Sequence, residues 1–160
     1  MNGYARGFRA VVWIGILVNF ALAGAALFAP DRLLEALGFD IAYPNLWPRF
    51  AAWLLILLSL FYIPGANDLN RYRANAVLSV CARFAGVAFF GGAVLLVGFS
   101  TRYLLFGLID LSVAVPSGIL LWLAIRRQEQ DRRTEIATPS RPHTIGATHV
   151  VAEEEVAPAP

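Results

Sequence analysis

The chain has 160 residues, of which 58% are hydrophobic and 15% charged, with a formal net charge of +2 and a mean hydropathy of +0.61. Soluble domains carry about a quarter charged residues, so this balance argues for a bilayer as solvent and against a water-exposed globule. The single cysteine, Cys81, excludes an intrachain disulfide, a CxxC redox pair and any multi-cysteine metal site.

Taken in chain order, four apolar runs have the roughly 20 residues that cross a ~30 Å hydrocarbon core. They cover about 8–29, 48–66, 74–99 and 103–125. Backbone groups in lipid must be satisfied within their own segment, so each run is expected to be a helix. The first begins after Arg6 and Arg9, and Ala21-Leu22-Ala23 resembles a signal-peptide cleavage site. The apolar run continues through Phe28, however, and a retained helix is expected. Between the first two runs, Asp31 can cap a short helix from Arg32 to Leu37 that Gly38 ends. Its leucines share one side, which suits the membrane interface. Tyr43 and Trp47 are interfacial aromatics. Arg49 can snorkel to water or lipid phosphate from the start of the second run.

All 13 basic residues are arginine. They lie mainly at the ends of apolar runs, a topology signal and not the one-faced basic cluster that nucleic acid requires. Arg6, Arg9, Arg71, Arg73, Arg126, Arg127, Arg132 and Arg133 fall on one side, against Arg32, Arg49 and Arg102 on the other. The excess predicts that both termini face the cytoplasm. Residues 128–160, with Pro139, Pro142 and the acidic, Pro-rich ending, cannot build a core and read as a disordered cytoplasmic tail. The histidines, His143 and His149, both belong to it and read as solvated residues.

Two charges lie at membrane depth. Arg83 is nine residues into the third run, or ~13 Å along a helix. Asp110 lies a similar distance into the fourth run from the opposite side. Their backbones then differ in height by several ångström, within reach of an arginine side chain, and an ion pair is expected. Asn19, Ser112 and the helix-bending Pro116 complete the candidate polar locus, with Ser59 and Ser79 as milder polar points. Intramembrane charges mark either functional sites or internal locks. Small residues at spacing four, such as Ala82/Gly86 and Ala114/Gly118, supply packing faces that favour the lock.

The chemistry excluded is broad. Histidine is absent from the apolar runs, so bis-histidine haem ligation has no ligands there. No carboxylate–imidazole cluster suits iron, copper or zinc, and no Walker, G-x-G-x-x-G or G-x-S-x-G motif occurs. No catalytic residue, metal ligand or cofactor is assigned. A lone Asp110 would have to carry any acid–base chemistry, so an enzyme is not the favoured reading.

The run Leu46-Trp47-Pro48-Arg49-Phe50-Ala51-Ala52-Trp53, with Phe61-Tyr62 and Arg83-Phe84-Ala85-Gly86, resembles small four-helix bacterial membrane proteins of the DoxX-like and related uncharacterised families. The resemblance spans roughly residues 8–125. It implies the architecture and, for some relatives, association with quinone-coupled redox complexes. The expectation is therefore an all-α, four-transmembrane-helix bundle in a bacterial inner membrane, with a short interfacial helix and a disordered tail. Its expected role is an accessory or assembly subunit meeting a membrane-protein partner or a second copy. The alternatives are a lipid, quinone or small-molecule carrier using the Arg83–Asp110 locus, and a DoxX-like redox-associated subunit.

Overall fold

The computed structural model describes residues 3–41 and 43–137. Five α-helices follow one another: α1 (Gly3–Phe28), α2 (Pro30–Ala36), α3 (Leu46–Asn67), α4 (Arg73–Val97) and α5 (Leu104–Ala137), with a 3-10 turn at Thr101–Tyr103 before α5. α1, α3, α4 and α5 are each long and apolar enough to cross a bilayer. The described residues form an all-α, four-helix membrane bundle with one short connecting helix.

α1 packs against α3 and α5, while α4 packs against α5 and α3. The apolar core gathers at the end holding the start of α1, the α3–α4 connection and the later turns of α5. Phe8, Val12, Ile16, Tyr62, Ala66, Ala76, Leu121 and Ala124 meet there. Gly65 permits the approach of α3 to α4, because a Cβ on it would lie 2.5 Å from the backbone nitrogen of Ala76. At this end Asp68 Oδ1 accepts from the backbone N–H groups of Asn70 and Arg71, at 3.0 and 3.1 Å. That turn carries Arg71 and Arg73 beside α5, and the start of α1 adds Arg6 and Arg9. We call it the basic end.

Two local expectations change and a third is extended. Pro30, not Arg32, opens α2, so Asp31 sits in the first turn and makes no side-chain cap. Pro is well suited to a first helical position, where its missing N–H is not needed. Asp31 instead accepts a hydrogen bond from the Asn45 side-chain amide at 3.3 Å. Gly38 ends α2 as expected, at φ +72°, with Gly38 N–H donating to Glu35 O and Phe39 N–H to Leu34 O; this is a Schellman closure. Leu33, Leu34 and Leu37 are half-buried while Arg32 and Glu35 are exposed.

The second change is larger. α5 continues through Ala137, twelve residues beyond the predicted end at 125, and takes in the first ten residues of the expected tail. Residues 126–137 contain neither glycine nor proline, and their Arg, Gln and Glu are good helix formers with Glu129 placed four residues before Arg133. A sequence too polar for a core can still extend a helix that has already been nucleated. The extension is held on the α3–α4 connection by Gln128 Nε2 donating to Asn70 Oδ1 at 2.7 Å. Arg73 also pairs with Glu129 at 3.6 Å. The remainder of the expected tail, 138–160, lies outside the described residues.

The third is an addition: the α2 connector, expected at the membrane interface, also contacts the bundle. It is pinned across the opposite end of the bundle. The Phe39 ring sits 4.5 Å from Tyr103 and 5.8 Å from Phe106. Phe106 in turn lies 5.3 Å from Phe90 on α4. Tyr43 and Trp47 are almost fully and two-thirds exposed respectively. Arg49 is exposed as well, so all three face outward near the start of α3.

Candidate intramembrane polar site

Arg83 occupies the middle of α4 and is 4% exposed. It is buried because three other helices close over it. Its Nη1 donates to Asp110 Oδ1 on α5 at 3.1 Å, making an ion pair whose acid is about a quarter exposed. Two glycines create the space. A Cβ on Gly15 of α1 would collide with Arg83 Nη2 and lie 2.9 Å from Val113, and one on Gly86 of α4 would collide with Asp110 Oδ2. From α3, the Tyr62 ring faces the guanidinium, with Cζ 5.8 Å from the ring centroid. Four helices therefore each contribute a residue to one charge pair.

A separate polar contact joins α1 to α3. Asn19 Nδ2 donates to Ser59 Oγ at 3.0 Å, and Ser59 Oγ donates to the Leu55 carbonyl at 2.8 Å. Asn19 and Ser59 are both buried. Asn19 lies one turn from Gly15 on α1, so the two polar contacts are neighbours on the same helical face. Among the described residues, no hydrogen bond connects them.

The predicted locus thus divides. Arg83 and Asp110 come together, Asn19 pairs with Ser59, and Ser112 takes no part. Ser112 is exposed and bonds back to the Ile109 carbonyl at 2.7 Å. Helical spacing explains this: two residues from Asp110 is about 200° around the helix, on another face. Helical geometry continues through Pro116. The next residue, Ser117, is buried and donates to the Val113 carbonyl at 2.6 Å. Such side-chain back-bonding supplies polar partners within a helix interrupted by proline.

Gly15, Tyr62 and Ser117 were not singled out by the sequence as site residues. Gly15 could have been found from its position four residues before Asn19. Tyr62 carried no polar signal among the apolar residues of α3. Arg83 Nη2 is buried and has no hydrogen-bond partner among the described residues, so the guanidinium is not saturated by its acid. The described residues hold no group of three His, Cys, Asp or Glu side chains arranged for a metal ion.

Two surface depressions lie elsewhere. One, of about 360 Å³, is lined by Phe84, Val115, Gly118, Ile119 and Trp122 between α4 and α5. The other, of about 450 Å³, is lined by Asn70, Arg73, Gln128, Asp131 and Arg132 at the basic end. Neither is lined by Arg83 or Asp110. The chain matches no family model, no curated protein and no solved structure.

Proposed function

We propose that the chain is a non-catalytic integral membrane protein, an accessory or assembly subunit of a bacterial inner-membrane complex, whose buried charge pair locks its own bundle. One observation carries this reading: Arg83 and Asp110 are enclosed by residues from all four long helices, with Gly15 and Gly86 fitted against them. Breaking such a pair leaves a bare charge in hydrocarbon, so it enforces one helix arrangement. The protein then works through its outer faces, where Trp47, Phe50, Trp53, Leu57 and Phe61 of α3 are exposed and available to a membrane partner. The arginine-rich end faces the cytoplasm in this proposal, as the excess of arginine over the opposite end favours.

The test combines two measurements on the purified chain in mild detergent. Arg83→Ala and Asp110→Asn should each reduce the folded yield, and the charge-swapped pair Arg83→Asp/Asp110→Arg should recover part of it. Native electrophoresis should find the wild-type chain in a larger species with a co-purifying membrane protein. Migration as an isolated small species would overturn the accessory role. Single variants that fold normally would overturn the lock.

A second reading has one observation in its favour, the unpartnered Nη2 of Arg83. It makes the locus a binder of a carbonyl-bearing or anionic lipid-soluble molecule, of which a quinone is one example. It requires α3 and α4 to part, and predicts that Arg83→Ala loses the ligand with folding intact.

A further inference from the structure

We infer that the groove between α4 and α5 is a binding site for an anionic phospholipid, with an acyl chain along the groove and the phosphate at Arg126. The site is independent of the Arg83–Asp110 locus. The groove exists because Gly118 leaves a gap between Phe84 on α4 and Trp122 on α5. A Cβ there would stand 3.4 Å from Val80 Cγ1 and 3.8 Å from Phe84. Its walls, Phe84, Val115, Ile119 and Trp122, are exposed and almost wholly apolar. In a bilayer the space at this depth takes hydrocarbon.

The upper end is what gives the occupant a headgroup. Trp122 and Arg126 are four residues apart on one face of α5, and the Arg126 guanidinium lies over the Trp122 ring with Cζ 3.9 Å from its centroid. That ring is a fixed seat, positioning an exposed cation at the mouth of the groove, where the apolar run ends at Ile125. Tryptophan and arginine both favour this depth of the membrane. At the start of α4 Arg73 is engaged by Glu129 at 3.6 Å, and Arg126, seated on the groove residue Trp122, is assigned as the phosphate donor. Among the charged residues of this end, Arg6, Arg9, Arg71, Arg73, Arg126, Arg127, Arg132 and Arg133 outnumber Asp68, Glu129, Asp131 and Glu135. The surrounding charge therefore tolerates a negatively charged headgroup, and the preference for it over a zwitterionic one rests on the direct contact with Arg126.

The full chain, reconstituted in phosphatidylcholine vesicles, tests this with brominated acyl chains as tryptophan quenchers. The Trp122 signal is the quenching lost in Trp122→Phe. Brominated phosphatidylglycerol should quench that signal about fivefold more effectively than brominated phosphatidylcholine, the factor one arginine contributes near an anionic surface. Arg126→Gln should bring the two lipids to parity, and the neighbouring Arg127→Gln should leave the preference in place. Gly118→Leu, which fills the groove, should also abolish it. Equal quenching by both lipids in the wild-type chain overturns the site, as does a preference that survives Arg126→Gln. A preference that survives Gly118→Leu overturns the groove. Complete protection of Trp122 from both lipids means that another protein surface covers α4 and α5, and overturns the proposal too.

Discussion

Arg83 and Arg126 are the same side chain in two solvents. Arg83 is sealed inside the bundle with an acid 3.1 Å away and an aromatic ring at 5.8 Å. Arg126 is exposed at the end of an apolar run with its ring at 3.9 Å. The inner arginine cannot lower its energy by reaching water, so the rest of the fold must be arranged around it. The outer one can snorkel, and its environment is free to change without disturbing the bundle. Depth, more than residue type, determines which arginine constrains the structure and which one addresses the surroundings.

The comparison breaks most sharply at Arg83. Arg83→Ala leaves Asp110 without its partner and should destabilise the purified protein by about 3–5 kcal/mol, read as a shifted unfolding midpoint in detergent. The double variant Arg83→Leu/Asp110→Leu should recover most of that loss, since two apolar side chains carry no bare charge. Next is Gly15→Val, which drives a side chain into Arg83 and Val113. An overpacking cost of about 1–3 kcal/mol is expected in the same assay. Asn19→Ala removes one interhelical hydrogen bond and should cost about 0.6 kcal/mol, the average for such bonds in membranes. Arg126→Gln should leave the unfolding midpoint unchanged while altering lipid preference. A midpoint shift for Arg126→Gln as large as that for Gly15→Val would erase the distinction between the two arginines.

Much of this was legible from hydropathy and spacing. Four ~20-residue runs specify four helices because lipid admits few other solutions. Arg83 and Asp110 were legible as partners because their depths follow from counting along two adjacent, antiparallel helices. What the sequence left open depends on rotation about each helix axis. Ser112 lies two residues from Asp110 and faces away, whereas Ser117 is buried. Apolar residues surround α5 on all sides over 104–125, so no periodicity marks its buried face. The length of α5 was missed for a different reason. The polarity of residues 126–137 reports only what they can bury, whereas a helix end needs only propensity and a foothold, here Asn70 and Arg73. Phe39 carried no signal at all. Its partners lie more than 60 residues away in the chain.

That ring has a consequence for the order in which the molecule is completed. α1 with α3, and α4 with α5, are two helical hairpins, each able to enter a bilayer as a unit. Phe39 belongs to the connector of the first hairpin, yet it rests on Tyr103 and Phe106 of the second. Its seat therefore does not exist until the last helix is in place. The connector is a latch that the second hairpin closes, and it adds a clasp at the end opposite the α3–α4 connection to the packing between the hairpins.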